Sequence, residues 1–245
     1  MQENITANVS EDTVTLEFLR LDGVYISQLV DFTNEVEAMK VVIPGEEELG
    51  QNGHQTLCFL THAAQADFIA PDAMAKLRQK NPGTVRVAEE DRGWRQTTAS
   101  AWAGRALRLL SPAAARHCAA ARERVYLRAA DMARWAPRPG DYLIHSLISK
   151  SIKTIEGFHD VKFLSTLYLM FNIHCCPAIA GSKLQMCVNW YPCGLKYCKG
   201  KPQGGLSYRC GIKTCRRCYR YHYYVRRRDA FCCQKQCTRN LFGFH

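Results

Sequence analysis

The sequence predicts an α+β fold, with an antiparallel sheet and packed helices followed by a small cysteine-rich, β-rich module. Three observations carry this expectation. Apolar residues alternate with period two through much of the first sixty positions. Ser111-Pro112 then opens an Ala-rich run of high helix propensity, with Ser as N-cap and Pro at the first helical position. Finally, nine of the thirteen cysteines fall between Cys187 and Cys237, in a stretch with almost no long apolar run.

Thr13 to Arg20 sets Val14, Leu16 and Phe18 against Thr15, Glu17 and Leu19, the pattern of a strand with one buried face. Leu21-Asp22-Gly23 reads as a turn, and Val24-Tyr25-Ile26 begins the return strand. A third strand is expected around Glu37 to Ile43, stopped by Pro44-Gly45. Thr56-Leu57-Cys58-Phe59-Leu60 gives a short buried strand after an acidic loop. Pro71-Asp72 opens a helix through Met74 and Leu77, which Asn81-Pro82-Gly83 ends. Residues 84–110 show no clear period. The helix from Ser111 carries Cys118, Val125 and Met132 at seven-residue spacing, which turns Cys118 inward. It ends at Trp135-Ala136-Pro137, where a domain boundary is expected.

Phe163 to Ile173 is apolar for about eleven residues, whereas a membrane span needs roughly twenty, so no membrane span is expected. Tyr219, Tyr221 and Tyr223 alternate with Arg220 and His222, which predicts a strand with an aromatic face. The tail around them cannot fold on hydrophobic burial alone and needs cross-links. Two fillings fit. One is a disulfide framework in an oxidising compartment. The other is zinc, with Cys193-x4-Cys198 and Cys210-x4-Cys215 as four thiolates, which would make the tail a basic module contacting nucleic acid.

Charge is unevenly spread over a net +11. Residues 1–60 hold eleven acids and only Arg20 and Lys40 as bases, whereas the chain from Lys183 onward holds fourteen Lys or Arg and one acid. Such a split favours intramolecular attraction or a polyanionic partner for the tail. Arg216, Arg217, Arg220 and Arg226-Arg227-Arg228 are the candidate polyanion-binding residues, suited to sulfated glycans through guanidinium contacts.

The chain opens without a basic n-region or an apolar h-region, so it shows no signal peptide. Asn4-Ile5-Thr6 and Asn8-Val9-Ser10 are nonetheless adjacent glycosylation sequons. With the cysteine count they favour secretion and imply that the chain continues upstream of Met1. The sequence holds eight histidines, but none lies in a recognisable nucleophile motif. There is no phosphate-cradling glycine loop, no His-Glu-x-x-His and no Gly-x-Ser-x-Gly. No enzymatic activity, cofactor, metal or catalytic residue is therefore expected.

Three segments together resemble the "out at first" family. They are Ala73-Met74-Ala75-Lys76-Leu77-Arg78-Gln79-Lys80-Asn81-Pro82, Trp190-Tyr191-Pro192-Cys193-Gly194-Leu195-Lys196-Tyr197-Cys198 and Cys210-Gly211-Ile212-Lys213-Thr214-Cys215. The resemblance covers the N-terminal two-fifths, the helix around Cys118 and most of the tail. It implies a BRICHOS-like N-terminal domain, an antiparallel sheet with packed helices, with a structurally important acid at Asp31 and a disulfide between Cys58 and Cys118. A bond across a loop of about sixty residues removes on the order of 4 kcal/mol of unfolded-chain entropy. In the tail the disulfide candidates are Cys187, Cys193, Cys198, Cys210, Cys215 and Cys232. Cys218 and some of Cys232, Cys233 and Cys237 stand outside the resemblance, which implies no pairing for them.

The expected organisation is a BRICHOS-like domain at 1–137, a divergent stretch at 138–185 and a basic cysteine-rich domain at 186–245. The middle stretch is either an insert or linker, or a gene-model error. The expected function is that of a secreted, non-enzymatic binding protein with developmental or extracellular signalling roles. Its partner is a protein or sulfated glycan outside the cell. BRICHOS domains act as chaperones, so the resemblance also implies contact between the N-terminal sheet and the chain's own Tyr219–Val225 strand. No nucleic acid is expected under this reading.

Overall fold

The computed structural model describes residues 3–45, 53–64, 67–76, 87–99, 101–102, 107–122, 124–132, 134–135, 153–154, 179–199 and 207–226. The strands are β1 (Glu3–Asn8), β2 (Thr13–Leu19), β3 (Tyr25–Asp31), β4 (Val36–Ile43), β5 (Gln55–His62), β6 (Glu90–Thr98), β7 (Ala101–Trp102), β8 (Val125–Leu127), β9 (Lys153–Thr154), β10 (Ile179–Cys198) and β11 (Tyr208–Arg226). Four short helices accompany them: α1 (Pro71–Ala75), α2 (Leu107–Leu110), α3 (Pro112–His117) and α4 (Ala129–Met132).

The strands form two sheets. The larger runs β1-β2-β3-β4-β5-β8-β7-β9 and the smaller β10-β11-β6. The first five strands are an antiparallel meander, with Gly23 at φ 75° closing the turn between β2 and β3. Positive φ suits glycine there because it has no Cβ to clash. Period-two alternation divides the meander between two neighbours. Ile26, Val30, Met39, Val41, Leu57 and Phe59 face the smaller sheet, where they pack with Leu184, Met186, Val188, Tyr219, Tyr221 and Tyr223. On the opposite face Leu29, Val36, Ala38, Cys58 and Leu60 pack against Leu107, Leu110, Ala114 and Cys118 of the helical layer. Both faces of β4 and β5 are thus covered, which is why their sequences are apolar nearly throughout.

This corrects the α+β expectation of a sheet with packed helices. The fold is mostly β, two sheets deep, and its helices are four to six residues long. The Ala-rich helix shows the physical reason. Ser111 caps α3 as its sequence predicts, accepting from the Ala114 backbone N–H. The helix nevertheless ends at His117, and a 3-10 turn at Ala119–Ala121 leads to Arg122 at φ 52°. Val125, Tyr126 and Leu127, placed on the helix by spacing, instead form β8 in parallel with Cys58, Phe59 and Leu60. All three side chains are buried there. That burial outweighs a helix propensity worth only tenths of a kcal/mol per residue.

The smaller sheet joins β6 to the two long strands near the end of the chain. β10 and β11 form one long antiparallel hairpin with irregularities at Val188/Tyr191, Pro192/Gly194 and Lys196/Tyr197. β6, from the stretch that showed no clear period, lies parallel to β11, with Tyr219 opposite Arg95 and Tyr221 opposite Thr97. β10 starts at Ile179, inside the stretch read as insert or linker. The extension of the first helix through Leu77, the apolar run 163–173 and Cys175-Cys176 lie outside the described residues. No helix among the described residues is long and apolar enough to cross a membrane.

Candidate functional site

The two sheets meet over a polar centre as well as an aromatic one. Glu37 lies on the face of β4 that meets the smaller sheet and is 4% exposed. Gln28 Nε2 donates to Glu37 Oε1 at 2.8 Å and to the Tyr219 hydroxyl at 3.0 Å. Arg95, on β6, donates from Nη1 to Glu37 Oε2 at 2.8 Å and from Nη2 to the His62 carbonyl at 3.0 Å. Burial works against the Arg95 charge, but the Glu37 carboxylate together with Tyr219 and Tyr221 outweighs it, so the guanidinium holds its proton more firmly than usual. Burial, then the Glu37 charge, raises the Tyr219 and Tyr221 phenols well above their ordinary range. Beside them Phe59 stacks on Tyr221 at 4.2 Å and meets Tyr223 edge-on at 5.2 Å. Apart from the partly exposed Arg95 these groups are buried, and they fix how the sheets sit on each other.

The hairpin is cross-linked along its length. Cys187 bonds to Cys218, Cys193 to Cys215 and Cys198 to Cys210, three nested pairs spanning 31, 22 and 12 residues. Cys58 bonds to Cys118, joining β5 to the end of α3. Cys187 and Cys218 are direct register partners, whereas Cys193 sits at an irregularity of β10. With Cys193, Cys198, Cys210 and Cys215 paired in this way, none is a thiolate, so the four-cysteine zinc alternative finds no ligand set here. Cys232 lies outside the described residues. Cys218 was not among the candidates, and its spacing from Cys215 gave no sign that it faces Cys187.

Asp31 is 1% exposed at the end of β3. Its Oδ2 accepts from Ser111 Oγ at 2.6 Å and from Asn34 Nδ2 at 2.8 Å, and its Oδ1 accepts from the Asn34 backbone at 2.9 Å. Asn4 and Asn8 are exposed on the outermost strand of the larger sheet. Ser10 Oγ donates to Asn8 Oδ1 at 2.7 Å.

The candidate polyanion-binding arginines do not form one cluster. Arg217 is held by Asp67 at 2.8 and 3.3 Å and is largely covered. Burial pushes the Asp67 carboxyl up, but the Arg217 hydrogen bond and the Arg217 and Arg92 charges hold it below its usual range. Arg216 Nη1 donates to Asp91 Oδ2 at 2.5 Å. Lys196 pairs with Glu89 at 2.6 Å, and Lys213 pairs with Glu90. The acidic run that opens β6 thus neutralises three cations of the hairpin. Arg220 differs, since its guanidinium lies 4.8 Å from the centre of the Trp94 ring. Only the backbone of Arg226 is described, and Arg227 and Arg228 lie outside the described residues.

Arg220 belongs to the outer face of the smaller sheet, the face turned away from Tyr219, Tyr221 and Tyr223. Its register partners are Gln96 on β6 and Gln185 on β10, and both are exposed. With its amide oxygen toward the cations, Gln185 accepts from Arg220 Nε at 3.3 Å and Lys183 Nζ at 3.0 Å. One step along, Lys183, His222 and Thr98 share a row. Trp94 is 52% exposed. The sequence did not single out Trp94, Gln96, Lys183 or Gln185. Trp94, Gln96 and Thr98 do alternate with Arg95 and Thr97, the one trace of a strand in that charged stretch.

The fold and its cross-links define a disulfide-stapled protein of two packed β-sheets whose exposed chemistry lies on sheet surfaces. The chain belongs to the Out at first family. The Out at first family profile matches residues 1–135, and the profile for its C-terminal region matches residues 174–236. The chain is 44% identical over 246 residues to the Out at first protein of Drosophila virilis, covering 94% of this chain and 76% of that one. It is 43% identical over 247 residues to the Out at first protein of Drosophila melanogaster, covering 94% of this chain and 48% of the relative. No solved structure matches. Out at first is not a family of known enzymes.

Proposed function

We propose that this chain works outside the cell as a non-enzymatic binding protein, stapled by disulfides, for a protein or a sulfated glycan. One observation carries the reading: all eight cysteines among the described residues are paired. Bonds of this number persist in an oxidising compartment and are rare in a reducing one. The pairs also give a rigid scaffold to a hairpin rich in cations, as recognition of a polyanion requires. The same reading places glycans on Asn4 and Asn8, whose side chains are exposed. The experiment is a thiol count by mass spectrometry without reductant, with metal analysis, on chain secreted from a eukaryotic host. Near-zero free thiols and no metal support the reading. Four or more free thiols with about one zinc per chain overturn it.

A second reading is favoured by the packing of the tyrosine strand. β6 pairs with one edge of β11, and the larger sheet covers the face bearing Tyr219, Tyr221 and Tyr223. The N-terminal part then acts as an intramolecular chaperone, shielding an aromatic strand while its disulfides form. Secretion of residues 138–245 alone with native pairing would rule this out.

A further inference from the structure

We propose that the outer face of the smaller sheet, centred on Trp94 and Arg220, is a binding site for a sulfated oligosaccharide. The proposal rests on the extracellular binding reading and assigns it a location. Of the arginines on β6 and along Arg216–Arg220 of β11, four meet carboxylates. Arg92 meets Asp67 and Glu90, Arg95 meets Glu37, Arg216 meets Asp91 and Arg217 meets Asp67. Among the described residues no carboxylate pairs with Arg220, which meets the Trp94 ring and Gln185 instead. Its charge therefore remains available to an outside anion.

The neighbours supply the rest of a sugar site. Trp94 is half exposed to solvent. An indole exposed this far offers a flat apolar surface to the less polar face of a pyranose ring. The amides of Gln96 and Gln185, on either side of Arg220, offer donors and acceptors for hydroxyls. Arg220 presents a planar fork suited to a sulfate, and Lys183 adds a second positive charge one row away. Burial, then the charges of Lys183 and Arg220, depresses the His222 imidazole. Oxidised cysteines favour an extracellular polyanion over a nucleic acid. The disulfide Cys187–Cys218 lies beside Trp94 in register and cross-links the two strands under the site.

The test uses the full chain and a heparin-derived octasaccharide in titration calorimetry at fixed salt. Trp94→Ala and Arg220→Gln should each weaken binding by at least about tenfold, the loss of one charge-assisted or stacking contact. Both changes lie on the outer face of the sheet and should leave the far-UV circular dichroism unchanged, and Arg220→Lys should keep part of the affinity. The octasaccharide stripped of sulfate should not bind. If both variants bind as well as the parent chain, the site is elsewhere and the proposal fails. A fully oxidised chain that binds no sulfated oligosaccharide also overturns it, while leaving the extracellular reading intact. Free thiols in the secreted chain would overturn that reading instead. Tighter binding of a single-stranded oligonucleotide through the same two residues would show that the ligand class is wrong.

Discussion

Ser111 Oγ donates to Asp31 Oδ2 at 2.6 Å while accepting from the Ala114 backbone N–H at 2.9 Å. The two bonds are complementary, because the hydroxyl spends its only proton on the acid and turns a lone pair to the helix. Asp31 thereby ties the end of β3 to the first turn of α3. The other end of that helix is tied to β5 by Cys58–Cys118. A helix of six residues is marginal alone, and these two attachments hold it.

Removing either partner should therefore cost more than a surface cap. Asp31→Ala and Ser111→Ala are each expected to lose about 1–3 kcal/mol, since both leave a buried group unpaired. The double variant should lose less than the sum. Urea denaturation of all four proteins gives the coupling, and simple additivity would show that the bond is not cooperative.

The Glu37–Arg95 pair should behave as a buried charge pair. Arg95→Met leaves the Glu37 carboxylate uncompensated between the sheets and should cost about 3 kcal/mol. Adding Glu37→Gln should recover much of that loss, because the orphaned charge is removed. Chemical denaturation of single and double variants checks this. A double variant less stable than Arg95→Met would refute it.

His117 makes stability fall in mild acid. Its Nε2 donates to the Ser27 carbonyl at 3.1 Å. Burial, and then the Lys40 charge, lowers its pKa from 6.5 to about 4, with the Ser27 hydrogen bond and then Glu17 opposing. Between those values the unfolded chain binds more protons than the folded one, so stability is lost as pH drops through the window. The loss from this group reaches about 3 kcal/mol at most. His117→Gln keeps a donor without the titration, so its urea midpoint should change less between pH 7 and pH 4.5. The carboxylates of Glu17 and Asp67, held below their usual range, titrate lower in both proteins.

The four disulfides should not be equal. Replacing Cys58 and Cys118 by Ser opens a loop of 60 residues and should cost about 4 kcal/mol. Replacing Cys198 and Cys210 opens one of 12 residues and should cost about 3 kcal/mol. Thermal unfolding of the two double variants gives the order.

Much of the meander was legible because its strands bury one or both faces, and burial writes itself into spacing. Val14, Leu16 and Phe18, and then Tyr219, Tyr221 and Tyr223, are such records. The inward turn of Cys118 was legible too. β6 left little trace, since its inward side includes Arg95, whose partner Glu37 is distant in sequence. β1 is short and mostly polar, with Ile5 packed against the core, and it is held chiefly by pairing to β2. Pro192 and Gly194 obscure β10 in the sequence, yet β10 is an edge strand of its sheet and they sit at an irregularity, where both are tolerated. The helix expected from Ser111 to Met132 failed because local propensity carried no word of the vacant strand position beside β5. The binding face was the least legible part. Arg217 and Arg220 look alike in sequence, and only the placement of Asp67 and Trp94 separates a structural cation from an available one.

The nesting of the hairpin bonds also sets an order of assembly. Once Cys198 and Cys210 join, only five residues on each strand separate them from Cys193 and Cys215, where the open chain had 22 between that second pair. Joining that pair brings Cys187 and Cys218 together over six residues on one strand and three on the other. Each closure shortens the contour to the next, and no bond threads through another. The tail can therefore zip from its tip toward its base, and the strand bearing Tyr219, Tyr221 and Tyr223 is the last to be locked.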